Sequence, residues 1–352
     1  MRKISLLLLF LMAPLLGIIV GFNQQLPQLG IEQKQLIFSV DSLEERTANY
    51  QAEVSRLENG ISFINEILAE QQRQYEEQQE LLQQLAQKSQ SQKVKSEEIY
   101  EERILAKLGE PFETVRNDRV ELKLFSINEN GYRGYAAKVK LFDPRAMQVV
   151  LAKDTLGETE TTSDALERSG AIFGVNGGGF FKVVKDGNQK ALPIGNTMID
   201  GELVGGFSPT HDDLFFSGWT KKAELIGGMF KEEADLIRNR PWQGVSFVPM
   251  LFQEGRPLPI PEKWQREKHP RTVIGQYANG DILFLVIDGR RKGWSAGISL
   301  ESLQLKLYDL GIIEAYNLDG GGSSTFVYNG KVINRPSDGR ERPVTTNIVI
   351  VP

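Results

Sequence analysis

Tyr316-Asn317-Leu318-Asp319-Gly320-Gly321-Gly322-Ser323-Ser324-Thr325 decides how this 352-residue chain reads. An apolar run (Ile312, Ile313, Ala315) leads into it. Residues 317–325 then hold an amide, a carboxylate, three glycines and three hydroxyls. That mixture has too little apolar surface for a core and too much backbone entropy to lose without return. A strand pattern resumes at once in Phe326-Val327-Tyr328, so the run is not a linker either. Glycines let backbone N–H groups approach an anion closely, and Asp319 stands where a strand gives way to a loop, a common place for catalytic groups. A tight turn is the plain alternative, but a turn needs neither three glycines nor three hydroxyls. A nucleotide-binding P-loop is excluded, because no lysine follows the glycines. The next residues, with Asn329-Gly330 at their centre, read as a hairpin instead of a helix.

Upstream, the periodicity from about residue 119 is two. Val120, Leu122 and Leu124, then Tyr135, Ala137, Val139 and Leu141, flank Asn128-Glu129-Asn130-Gly131 as a hairpin. Residues 147–151 continue the sheet, and 162–167 form a short capped helix ending at Gly170. An apolar strand over 171–175 delivers Asn176-Gly177-Gly178-Gly179. A second hairpin, 272–276 with 282–287, delivers Asp288-Gly289-Arg290. Ser299 caps a helix stopped by Gly311, and 346–351 closes the chain. The pattern predicts an α+β domain over 110–352, a mixed, largely antiparallel sheet core with a few helices. Three apolar strands end in polar, glycine-rich loops at Asn176, Asp288 and Asp319, so one site at one end of the sheet is the economical expectation.

Four segments resemble the phosphodiester glycosidase family, in the family's order. They are Gly174-Val175-Asn176-Gly177-Gly178-Gly179-Phe180-Phe181, Pro270-Arg271-Thr272-Val273-Ile274-Gly275, Val286-Ile287-Asp288-Gly289-Arg290 and the run from Asn317 to Thr325. Ser337-Asp338-Gly339-Arg340-Glu341-Arg342-Pro343-Val344 is similar to the family's closing segment. The likeness spans roughly the last two thirds of the chain, departing by a third glycine before Phe180. It implies cleavage of a sugar-1-phosphodiester, whose phosphate-ester leaving group needs little acid assistance. The developing positive charge at the anomeric carbon needs a carboxylate. Asp319 and Asp288 are the catalytic candidates. Asn176, Arg271, Arg290, Asn317, Gly320, Gly321, Gly322, Ser323, Ser324, Arg340 and Arg342 are the substrate-binding candidates, the arginines as planar donors to phosphate. No cofactor and no metal are expected.

The remainder of the chain supplies a setting. Arg2 and Lys3 precede an apolar run from Ile4 to Phe22, close to the ~20 residues that span a bilayer. No small-residue cleavage site follows it, so residues 1–22 read as a transmembrane anchor more than as a cleaved signal segment. The positive end stays inside, and the rest lies on the periplasmic or extracytoplasmic face. Residues 32–108 read as a coiled-coil stalk. With Val40 as an a position, the a residues are Val40, Thr47, Val54, Ile61, Leu68, Tyr75 and Leu82. The d residues are Leu43, Tyr50, Leu57, Ile64, Gln71, Gln78 and Leu85. A break is expected over 89–96, and a homo-oligomer through the stalk. The formal charge of −5, with both signs interspersed, gives no basis for nucleic-acid binding. Having no cysteine, the chain makes no disulfide, thiolate metal site or lipid-linked cysteine anchor. The expected partner is a cell-envelope glycan or glycolipid. A non-catalytic glycan-binding head on a stalk, or an accessory role in exopolysaccharide biosynthesis, is the alternative.

Overall fold

The computed structural model describes residues 40–185, 187–211 and 213–352. The anchor expected at 1–22 lies outside them. Among the described residues no helix is long and apolar enough to cross a membrane. Five α-helices appear among them: α1 (Val40–Leu108), α2 (Thr162–Ser169), α3 (Glu233–Arg238), α4 (Glu262–Gln265) and α5 (Leu300–Asp309).

α1 runs 69 residues without interruption. The break expected over 89–96 does not occur, because Gln and Lys favour helix and no glycine or proline stands between Gly60 and Gly109. Gly109, at φ 82°, ends it by donating its N–H to the Leu105 carbonyl (2.8 Å). The heptad residues Val54, Leu57, Ile61, Ile64, Leu68, Leu82 and Leu85 are all more than half exposed on this helix.

The chain divides into two compact units between Gln87 and Lys88. The last turns of α1, expected to belong to the stalk, therefore fold as part of the second unit. Ile104 and Leu108 are buried there among sheet residues. Glu101 meets the buried Lys138 (2.6 Å) and Lys123 (2.5 Å), and Glu97 meets Lys140 (2.7 Å). Lys138 in turn holds Asp281 (2.5 Å), so its charge is never left alone in the interior.

The second unit is built on an eight-stranded sheet ordered Glu113–Arg116, Val120–Glu129, Tyr132–Leu141, Ile282–Ile287, Arg271–Tyr277, Ile312–Leu318, Met250–Gln253 and Arg256–Pro257. One five-stranded sheet contains Phe173–Asn176 between Phe326–Tyr328 and Thr346–Ile350. Another contains Gln243–Phe247 between Phe215–Trp219 and Met198–Ile199. Both faces of the large sheet are covered. Val120, Val139, Phe284 and Val286 pack with Phe173, Val175 and Ile348 of one smaller sheet and with Phe215 and Val245 of the other. On the opposite face Leu283, Leu285 and Ile287 pack against Leu300, Leu303 and Leu307 of α5 and the end of α1. All six residues of Ile282–Ile287 are thus buried, which is why that strand reads as a continuous apolar run.

The α+β class stands, with one correction: the sheets are not mixed. Among the described residues every strand pairing is antiparallel. Tight turns account for much of this, as at Asn329 (φ 51°) and Gly330 (φ 72°), which close the hairpin after the glycine run.

Candidate active site

Three strand ends meet. Asn176 ends Phe173–Asn176, and its amide donates to the Asp319 carbonyl (2.6 Å). Its oxygen accepts from the Thr272 hydroxyl (2.8 Å) and the Thr325 N–H (3.1 Å). Asp319 returns a backbone N–H to the Gly177 carbonyl (3.1 Å). Asn176 is wholly buried, and these bonds make it tie the loops together.

The glycines of this first loop are needed for close approach. A Cβ at Gly177 would lie 2.8 Å from the Thr346 carbonyl oxygen, and one at Gly178 would lie 2.7 Å from that of Ser246. Their N–H groups are used internally, by Thr346 and, for Gly179, by the Ser246 carbonyl.

The second glycine run differs from the cradle of free donors expected of it. Gly321 (φ 61°) donates to the Pro270 carbonyl (2.9 Å), Ser323 to Gly320 and Ser324 to Gly321. Gly320 directs its N–H to the Asp319 carboxylate. The run is a single 3-10 turn, Gly321–Ser323, lodged between Arg271 and Arg290 on one side and Arg342 with Asp338 on the other. On one side, a Cβ at Gly320 would stand 4.0 Å from Arg271 Cδ, and one at Gly321 3.3 Å from Arg290 Nη1. On the other, a Cβ at Gly322 would overlap Arg342 Nη2 (2.0 Å) and Asp338 Oδ2 (2.2 Å). Glycine here makes room for charged side chains.

Asp319 keeps part of its surface open yet sits deep among protein atoms. That burial pushes its carboxyl up to about 6; the Ser323 hydroxyl, Arg342 and the Gly320 N–H oppose the rise without cancelling it. Asp288 is different in kind. It is 1% exposed, and its carboxylate accepts from Trp294 Nε1 (2.8 Å), Asn334 Nδ2 (3.0 Å) and the Arg335 N–H (3.0 and 3.2 Å). Burial raises its carboxyl too, against those donors. With both oxygens occupied, it organises the loop that carries Arg342.

Arg271 is buried, and burial together with neighbouring Arg290 pulls its guanidinium down to about 10. It donates only to backbone carbonyls, those of Glu267 (3.2 Å) and Ile298 (3.5 Å). Arg290, at φ 58°, donates to His269 Nδ1 (3.0 Å). Neither forms an ion pair with a carboxylate among the described residues. Arg342 binds Asp338 (2.7 Å) and reaches the Ser323 hydroxyl (3.4 Å). Arg340 is exposed, and no hydrogen bond joins it to the cluster. Asn317 donates to the Val248 carbonyl (2.7 Å), while its own oxygen is buried without a partner, as is the Ser324 hydroxyl.

His269 also stands in this cluster, outside the residues expected for the site. It lies against Arg290, with Nε2 on Glu267 (2.7 Å), and its place next to Pro270-Arg271 was the available signal. Asn334 and Trp294 had no signal, since their roles depend on a loop folding back. No group of three or more His, Asp or Glu residues among the described residues is arranged to hold a metal ion.

The antiparallel α+β domain thus brings a raised carboxyl and two arginines without carboxylate partners to one sheet end. The chain belongs to the phosphodiester glycosidase family, whose model matches residues 169–351. It is 29% identical over 196 residues to an SPbeta prophage-derived uncharacterized protein of Bacillus subtilis, covering 54% of this chain and 29% of that one. It is 28% identical over 195 residues to the cattle N-acetylglucosamine-1-phosphodiester alpha-N-acetylglucosaminidase, covering 51% of this chain and 35% of the cattle protein. The chain thus spans about a third of the length of these curated relatives. The catalytic domain of the zebrafish enzyme, solved in a form auto-inhibited by its pro-peptide, superposes with a TM-score of 0.53. The identity is 21%, over 68% of this chain and 87% of that one, which supports the shared fold.

Proposed function

We propose that this chain hydrolyses a sugar-1-phosphodiester bond in a cell-envelope glycan or glycolipid. One observation carries the reading. Two arginines without carboxylate partners, Arg271 and Arg290, flank the same short turn that carries the Asp319 carboxyl, raised to about 6. A phosphate diester supplies the anion those guanidiniums lack. The Asp319 carboxylate then faces the anomeric carbon, where it meets developing positive charge as nucleophile or as base toward water. The phosphate monoester departs as an anion and needs no strong acid. Asp288 holds Asn334 and Arg335 in place and takes no part in bond breaking. Arg342 keeps Ser323 directed at Asp319.

Arg290→Gln in the full chain should lower kcat/KM for a sugar phosphodiester by about 100-fold, the size of one lost charge-assisted contact of up to about 3 kcal/mol. Hydrolysis of an uncharged aryl glycoside should change by less than threefold. An equal loss on both substrates would remove the phosphate assignment.

The same reading places the enzyme at a membrane, on a stalk. The exposed heptad row of α1 supports a parallel oligomer, and the apolar run at 4–22 supports an anchor with the catalytic unit exported. Release of the full chain from membranes by alkaline carbonate would overturn the anchoring.

A further inference from the structure

Far from Asp319, a cleft of about 730 Å³ opens between the turn at 220–224 and the segment at 239–242. Lys221, Lys222 and Arg240 line its mouth, Trp242 and Ile226 its wall, and Glu224 is its one acid. Lys221 Nζ sits 4.1 Å from the centroid of the Trp242 ring. The three cations form no ion pair among the described residues, whereas Glu224 already accepts from the Thr220 hydroxyl (3.1 Å). The cleft mouth therefore carries net positive charge, three cations against the one carboxylate.

Both rims are held in costly backbone. Ala223 (φ 60°) and Arg240 (φ 53°) occupy the left-handed region without being glycine. Each is fixed by a turn: Ala223 donates to the Thr220 carbonyl (2.9 Å) and Arg240 to that of Ile237 (2.9 Å). Trp242 is clamped through its backbone to Trp219 (2.7 Å) and Gly201 (2.8 Å), and Gly201 packs against the indole edge, so that a Cβ there would stand 3.1 Å from the ring. A rigid indole wall beneath unpaired cations is concave and of small-molecule size.

The geometry points to a second binding site, one for an acidic saccharide unit. The sugar ring lies beside the apolar wall of Ile226 and Trp242, and its carboxylate meets Lys221, Lys222 and Arg240. The site is distinct from the candidate active site. Trp242 precedes the strand Gln243–Phe247, and the residue after that strand, Val248, holds Asn317. Six extended residues place the two about 20 Å apart. An acidic glycan of several units spans that distance, so the cleft retains a chain whose other end reaches Asp319. That last role rests on the proposed hydrolysis; the binding itself does not.

The test titrates the full-length chain with hyaluronan tetrasaccharide, read by tryptophan fluorescence. Neutral maltotetraose, inorganic phosphate and phosphatidylglycerol vesicles are titrated in parallel. Saturable binding of the acidic tetrasaccharide is expected, weakening with ionic strength. It should weaken at least about tenfold in Lys221→Gln/Lys222→Gln, both exposed positions, and stay unchanged in Asp319→Asn. The site would be overturned by no saturable binding or by equal binding in the lysine variant. It would equally be overturned by phosphate alone matching the tetrasaccharide, or by vesicles as the one probe whose binding the lysine variant loses. Loss of hydrolysis in Asp319→Asn with binding intact separates this site from the catalytic one.

Discussion

Asp319→Asn is expected to lower kcat for phosphodiester hydrolysis by at least about 10³-fold while making the folded protein more stable at neutral pH. The first half follows from chemistry: an amide neither attacks an anomeric carbon nor accepts a proton from water. The second follows from linkage. The carboxyl is raised from its ordinary 3.8 to about 6 by burial, so the folded state binds its proton more tightly than the unfolded chain does. Between about pH 4 and 6 the unfolded chain ionises first, and stability falls as pH rises through that window. Above about 6 the full cost, on the order of 2–3 kcal/mol, is present. Asparagine carries no such cost. Urea midpoints should therefore coincide near pH 4 and favour the variant at pH 8. The wild-type kcat/KM should fall about tenfold per pH unit below about 6, because the carboxylate is the working form. A variant that is inactive but no more stable at pH 8 would break the link between burial and function.

Asp288→Ala is the second large effect, and its sign is opposite. Removing this carboxylate leaves the Trp294 indole N–H and the Arg335 backbone N–H without their acceptor, and the buried Asn334 amide with the Ser324 carbonyl alone. Each orphaned donor costs about 1–3 kcal/mol, and stripping one partner from a buried charged network costs roughly 3–5 kcal/mol in all. Asp288→Asn should lose less, since one oxygen remains to accept. Chemical denaturation measures both; a loss under about 1 kcal/mol for the alanine variant would contradict the organising role. Activity should fall in step with the displaced loop at 334–342, and wild-type activity in a folded Asp288→Ala would show that Arg342 does not depend on it.

What was legible in the chain follows from how local each signal is. The hairpin turns at Asn130-Gly131 and Asn329-Gly330, the cap at Ser299 and the stop at Gly170 are settled within a few residues, and the structure has them in place. The meeting of Asn176 with Asp319 followed from three apolar strands ending alike. The part assigned to Asp288 was not legible, because Trp294 and Asn334 reach it across loops whose path no periodicity records. For the same reason Gly177 and Gly178 read as part of a binding loop, when Thr346 and Ser246 press on them from other strands. The continuity of α1 through 89–96 rests on the helix propensity of Gln and Lys, which the polar composition of that stretch masks. The sheet containing Phe215–Trp219 and Gln243–Phe247, which supplies the Val248 carbonyl to Asn317, gave only short apolar runs without a motif.

The most direct test of the central proposal is sugar release by the full-length chain from two substrates. UDP-N-acetylglucosamine carries an anionic phosphate ester on the anomeric carbon, within a diphosphate, whereas p-nitrophenyl N-acetyl-α-glucosaminide presents the same sugar without phosphate. Release of N-acetylglucosamine from the first and not the second is the expected result, because the proposal has Arg271 and Arg290 bind an anion beside the scissile bond. Release from the aryl glycoside at an equal or greater rate would contradict it.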